Sequence, residues 1–260
     1  MELRVFAVGD VVGDGGIRLL ERRLRAIRRE RNIDFVIVNG ENASGVGLTP
    51  KQARQILAAG ADVITLGNHA YSRREICPFL DDSDRILRPE NRLQSLPGRG
   101  FGLFPTRAGD IGVVNLIGRC AMDFTPDNPF RVIEPVLRKL EGVPVLIDFH
   151  AEATSEKLAM AYFLDGRVSA VFGTHTHVQT ADEQILPGGT GFLTDLGMTG
   201  PIRSVIGVRP EQSVAHFRGE LGSRYEVAPG PCALMGAIFT LNYETRRCTS
   251  VERLREDEPT

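Results

Sequence analysis

Eight side chains of this sequence are of types that can ligate a metal ion or move a proton: Asp10, Glu41, Asn42, Asn68, His69, His150, His175 and His177. Imidazole nitrogens combined with carboxylate and amide oxygens suit Fe, Mn, Zn or Co better than an all-oxygen Mg or Ca cage. Four of the chain's five histidines fall in this set. Each piece also has an ordinary alternative. Asp10 after Gly9 suits a turn or helix cap, Glu41-Asn42 a solvated loop, Asn68 a backbone-satisfied amide, and His150 a hydrogen-bonded structural histidine. His175-x-His177 is the sharpest piece. Alternate residues of an extended segment face opposite ways, so a turn, which Gly173 makes available, must bring both imidazoles to one place.

The elements that must position these residues read as an α/β alternation. Apolar runs at 3–8, 34–40, 62–68, 111–118, 143–150 and 168–175 predict buried strands. A stripe at 17, 20, 24 and 27 predicts a helix over 17–32 whose remaining surface is arginine-rich; it reads as a solvated face, with an RNA or partner surface as the alternative. Thr49 at the N-cap, Pro50 at N1 and Gly60 past the end frame a second helix, and a third is expected from about 155 to 163. Five of these strands run straight into the chemistry, at Asp10, Glu41-Asn42, Asn68-His69, His150 and His175–His177. Open α/β sheets bind ligands outside the carboxyl ends of their strands. Residues 88–108 read as a Pro/Gly-rich connection, and the last third (189–197, 213–220, 225–244, 247–254) as antiparallel strands without an intervening helix. No linker or repeat interrupts the chain, so the expectation is one domain over 1–254, then a frayed acidic tail over 255–260.

Composition excludes several classes. A net charge of −2 gives no global basic field for bulk nucleic acid or an anionic membrane, and no run reaches the ~18 apolar residues of a membrane helix. The N-terminus lacks the pattern of an export signal, and the four cysteines have no C-x-x-C spacing, so they are expected reduced and the chain cytoplasmic.

The order and wording of the motifs, G-D (9–10), N-G-E-N (39–42), G-N-H (67–69), a lone His150 and G-T-H-T-H (173–177), resemble the calcineurin-like metallophosphoesterases. N-G-E-N-A-S-G-V-G-L-T (39–49), D-F-H-A-E-A-T-S-E-K (148–157), G-T-H-T-H-V-Q-T-A-D (173–182) and T-D-L-G-M-T-G-P (194–201) are similar to the YmdB-type bacterial phosphodiesterases, from Val8 to about Gly207. The resemblance implies a four-layer α/β/β/α sandwich with mixed sheets, acting on 2′,3′-cyclic and 3′,5′-cyclic nucleotides. Carried over residue by residue, it puts Asp10, Glu41, Asn42 and His177 on one metal ion, and Asn68, His150 and His175 with a bridging Glu41 on another. Where the wider superfamily has D-x-H this chain has Val12, with Asn42 as the substitute ligand; where the YmdB branch usually has Trp it has Tyr71, beside the expected base-packing position.

The cofactor expected is a pair of divalent or mixed-valent ions, iron first and manganese as the alternative. About 3.5–4 Å apart, such ions activate a hydroxide and hold two phosphate oxygens for in-line displacement. Against the carboxylates of Asp10 and Glu41 they leave net positive charge for a phosphodiester monoanion. His69, next to Asn68, is the candidate general acid, with a structural role as its alternative. Glu152 and Glu156 either orient His150 or answer a helix dipole. Competing functions are a phosphomonoesterase or nuclease with the same metals, and a regulatory protein binding RNA or a protein partner around a structural site. A homo-oligomer stays open.

Overall fold

The apolar runs that alternate with helical stripes fold into two facing sheets. The computed structural model describes residues 1–222 and 224–258. The chain runs β1 (Glu2–Val8), β2 (Asp10–Val11), α1 (Gly13–Glu30), β3 (Phe35–Asn39), α2 (Pro50–Ala59), β4 (Val63–Thr65), α3 (Cys77–Asp82) and β5 (Ile86–Leu87). It continues through β6 (Phe101–Thr106), β7 (Gly109–Ile117), α4 (Pro129–Lys139), β8 (Val145–His150), α5 (Thr154–Phe163) and β9 (Ala170–Thr174). The last elements are β10 (Gln184–Ile185), β11 (Gly191–Leu193), β12 (Met198–Pro201), α6 (Pro210–Phe217), β13 (Cys232–Asn242) and β14 (Arg247–Asp257).

The first sheet has the order β2-β12-β13-β1-β3-β4-β5, with β14 beside β13; the second has the order β10-β11-β9-β8-β7-β6. Parallel pairing joins β1 to β3 and β3 to β4, and likewise β7 to β8 and β8 to β9, so these strands end on one side. Period-2 alternation sends Phe6 and Val8 under α1 and α2, while Val5 and Ala7 meet Val113, Leu146 and Phe172 of the other sheet. The outer face of the second sheet, with Ile147, Phe149 and Val171, packs on Ile133 of α4 and Met160 of α5. The result is the four-layer α/β/β/α sandwich. No helix among the described residues is long and apolar enough to cross a membrane.

Four expectations change. Residues 213–220 are not a strand: α6 occupies Pro210–Phe217, because Pro210 presets the first helical turn, a stronger signal than the short alternation of Ser213, Val214 and Ala215. The connection at 88–108 holds β6, and the strand expected over 225–244 begins only at Cys232, past Pro229 and Pro231. The tail expected to fray from 255 is ordered to 258, since 255–257 extend β14 and the Glu258 carboxylate accepts from the Cys232 amide at 2.7 Å; 259–260 lie outside the described residues. Arginines of α1 clamp this region, Arg22 pairing with Glu258, Arg23 with Glu256 and Arg31 with Glu252. A structural task thus occupies much of the basic face.

Thr49 and Gln52 form a full capping box at α2, and Gly60 closes the helix at φ 123°. Thr49→Ala is expected to cost about 1 kcal/mol in urea unfolding; an unchanged midpoint would mean that α2 does not depend on its cap.

Candidate functional site

The carboxyl ends of β1, β3, β4, β8 and β9 meet where the two sheets face each other, and all eight sequence-predicted residues gather there. Around Nε2 of His150 lie Asn68 Oδ1 at 2.9 Å, His175 Nδ1 at 3.1 Å and Glu41 Oε1 at 3.1 Å. Alongside, Asn42 Nδ2 lies 3.0 Å from His177 Nε2 and 3.2 Å from Glu41 Oε1. Asp10 Oδ1 is 3.8 Å from His177 Nε2 and 3.9 Å from His150 Nδ1. Glu41 is therefore common to two groups, one around His150 and one around His177. Asp10, Glu41 and His150 are fully buried.

Acceptor-only partners fix the tautomers. The Thr174 hydroxyl donates to Asp148 Oδ1 at 2.7 Å, so it accepts from His150 Nδ1–H at 2.8 Å and leaves Nε2 facing the cluster. His177 Nδ1 donates to the Ile206 carbonyl at 2.8 Å, and His175 Nε2 to Glu152 at 3.1 Å, which turns His177 Nε2 and His175 Nδ1 inward as lone pairs. Glu152 thus orients His175 rather than His150, and Glu156 accepts the amides of Arg119 and Cys120 instead.

Burial alone would raise the Glu41 carboxyl, but His150 beside it wins and holds it at about 2. Burial would likewise strip the His150 proton, yet Glu41 lifts its pKa to about 9. Asp10, chiefly through burial, is raised to about 6, and burial with the charge on His150 lowers His175 to about 3. Three electron-pair donors around one nitrogen that carries at most one proton, with a buried unpaired oxygen on Asp10, form a cage that fits a cation. Glu41, His150 and His175 have the closeness that one ion requires.

The backbone is shaped for this convergence. Gly67 leaves the space that Glu41 and His150 use, since a Cβ there would stand 2.3 Å from Glu41 Oε2 and from His150 Nε2. The turn after β9 is not made by Gly173. His175 and His177 themselves adopt φ of 99° and 65°, and Gly173 serves instead to let β9 approach the Thr194 carbonyl. Asp195 holds that turn, accepting from the Thr176 hydroxyl at 2.8 Å and from Lys157 Nζ at 2.7 Å in a buried ion pair. Asp148 ties the two sheets together through Asn39, Thr65 and Thr174.

The sequence reading passed over Lys157, Asp195, Asp148 and Thr174 as individual functional residues. Their signal was charge or hydroxyl inside otherwise apolar strand and helix runs. Tyr71 is not at the site's cavity; its hydroxyl donates to the Pro97 carbonyl and its ring packs on the first core layer. Arg88 is buried on Glu90 and the Pro89 carbonyl.

A four-layer sandwich with carboxylates, amides and imidazoles converging at its strand ends is a metallophosphoesterase. The chain belongs to the YmdB-like protein family, whose model matches residues 6–254. It is 40% identical over 257 residues to a 2′,3′-cyclic-nucleotide 2′-phosphodiesterase of Bacillus subtilis (strain 168), covering 97% of this chain and 96% of that one. Among solved structures it is similar to a novel phosphatase of Mycoplasma pneumoniae (TM-score 0.93, 33% identity, 99% and 94% covered). A hypothetical protein of Thermus thermophilus is similar too (TM-score 0.91, 39% identity, 99% and 100% covered).

Lys157→Met leaves Asp195 buried without its cation and is expected to lower stability by about 3–5 kcal/mol in urea unfolding. A loss under about 1 kcal/mol would show that the pair does not hold the histidine turn.

Proposed function

We propose that this protein hydrolyses cyclic-nucleotide phosphodiesters, the 2′,3′-cyclic type first and the 3′,5′-cyclic type second, with two metal ions held by seven residues of the cluster and His69 as general acid. The observation that carries the reading is the ring of lone-pair atoms at 2.9–3.1 Å around His150 Nε2. Asp10, Asn42 and His177 would hold one ion, Asn68, His150 and His175 the other, with Glu41 shared. Asn42 now presents Nδ2 to its neighbours, so ligation requires its amide to turn over and offer Oδ1. Iron is the first candidate and manganese the second, on the mixed nitrogen and oxygen donors. When bound, the ions supply positive charge for the phosphate and lower the pKa of an attacking water. Four free thiols suit a reducing cytoplasm.

In the reaction a water oxygen bonds to phosphorus, one ester P–O bond breaks, and the leaving alkoxide takes a proton. His69 would give it. Its amide donates to Glu41 Oε2 at 3.2 Å, tying its backbone to the shared carboxylate. Its ring is held only by long contacts, 3.3 Å to Asn68 Nδ2 and 3.4 Å to Ser72 Oγ, and it lines the same cavity as Glu41, Asn42, His175 and His177. That leaves the imidazole able to face a substrate oxygen.

Three outcomes test the reading. Metal-dependent cleavage of bis(p-nitrophenyl) phosphate should exceed that of p-nitrophenyl phosphate and vanish with EDTA; faster monoester cleavage would overturn the diesterase assignment. His69→Ala should keep the metal content by elemental analysis and lose about 10²–10⁴ in kcat; full turnover with metals bound would remove the acid role. Because His150 titrates at about 9 and Asp10 at about 6, metal loading of EDTA-stripped protein at pH 7.5 should release about one proton, chiefly from His150. Affinity should then rise about tenfold per pH unit toward 9. The stability that His150 gives the stripped protein has the opposite slope. Its folded pKa lies above its unfolded value, so the contribution is full below about 6.5 and lost as pH climbs through 9. Calorimetry in buffers of different ionisation enthalpy would read the proton directly, and zero release would contradict the raised pKa of His150.

A further inference from the structure

The cavity over the cluster, about 680 Å³, has a second wall that none of the proposed metal ligands occupies. It is built from residues 205–217 and 224–227. Val205 and Val208 exchange backbone hydrogen bonds across a two-residue turn in which Ile206 and Gly207 take φ of 47° and 104°. Asn-Gly or Asp-Gly is the usual solution for such a turn, and a β-branched residue there is strained. Ile206 nonetheless faces the cavity, 53% exposed, while its carbonyl accepts from His177. Beside it Phe217, at the end of α6, is 82% exposed and Tyr225 49% exposed. His216 stands edge-on between these rings, its centroid 5.4 Å from Phe217 and 6.1 Å from Tyr225. Solvent-facing aromatic rings on one wall of a cavity whose opposite wall carries Glu41, His69, His175 and His177 call for an apolar ligand surface.

We infer that Phe217 and Tyr225, with Ile206 as a lip, form the platform on which the nucleobase of the substrate stacks while its phosphodiester lies on the cluster. This rests on the preceding functional reading and adds what selects the substrate. The occupant is a base because the wall shares one cavity with the phosphate-binding groups, and a nucleotide joins a flat π-face to a phosphate through a single sugar. Two of the polar groups nearby are already engaged, while Arg224 stands exposed on the same wall. Glu226 pairs with Arg209 at 2.9 Å, and Arg73 donates to Ser44 Oγ at 3.0 Å and the Val46 carbonyl at 3.1 Å. Stacking on these rings favours purines for their area and tolerates any base.

The test compares 2′,3′-cyclic AMP with glycerol 1,2-cyclic phosphate, a five-membered cyclic diester without a base. Wild-type protein is expected to prefer the nucleotide. Phe217→Ala and Tyr225→Ala should each lower kcat/KM on 2′,3′-cyclic AMP about tenfold, the loss in KM, in line with ~1–3 kcal/mol per stacked base. They should leave glycerol cyclic phosphate within about twofold, and Tyr225→Phe should restore the nucleotide. Equal losses on both substrates would make the wall structural, and no loss on the nucleotide would show that the base lies elsewhere. Either result overturns the platform and leaves the diesterase intact. Wild-type protein that cleaves neither diester would overturn the preceding reading, and the platform with it.

Discussion

Everything at the heart of this molecule follows from an excess of lone pairs over protons around the His150 Nε2. Glu41, Asn68 and His175 all turn an accepting atom toward that one nitrogen. Buried in a protein interior, such an arrangement is repulsive unless a positive charge sits within it. The protein's own answer is a proton, which is why the imidazole is lifted to about 9 while its carboxylate neighbour falls to about 2. A multivalent ion answers the same demand better. The site is thus an electrostatic imbalance written into the fold, and the chemistry of phosphate esters exploits its neutralisation.

Holding acceptors together against their repulsion requires a frame that does not yield. The frame here is two sheets whose strand ends are stapled by Asp148, which takes hydrogen bonds from Asn39 and Thr65 of one sheet and Thr174 of the other. The same Thr174 passes its orientation to His150. Lys157 reaches from α5 to Asp195 and so anchors the strained turn bearing His175 and His177. Each inward-facing imidazole is thus held by a partner behind it, His150 by Thr174, His175 by Glu152 and His177 by the Ile206 carbonyl, as expected of pre-organised sites.

Much of this was legible in the residue order. Glycine followed by Asp10, Glu41 or Asn68 marked strand ends, because apolar runs bounded by such residues have few other readings, and the cap at Thr49 fixed α2. The hidden parts were those whose cause is tertiary. Nothing local says that Asp195 meets Lys157 across 38 positions, or that Glu152 serves His175 rather than its near neighbour His150. The α6 region misled because Ser213-Val214-Ala215 alternates for a few residues only, too short to choose a period, whereas Pro210 carried the decisive information. Tyr71 sat at a motif position yet turned into the core, and the exposed aromatic rings came from a segment with no motif at all.

The pairing of β1 with β13 joins Glu2 to Asn242, nearly the longest span in the chain. During synthesis β1 can find β3 early, but its other edge stays bare until residue 242 has left the ribosome. Closing so long a loop is entropically slow, and a bare apolar strand edge invites the wrong neighbour. Asp10 depends on the same late event, since its amide is held by Gly197 beside β12, which itself leans on β13. The nascent chain therefore passes through a long interval in which it can bury oil but cannot yet hold its charge.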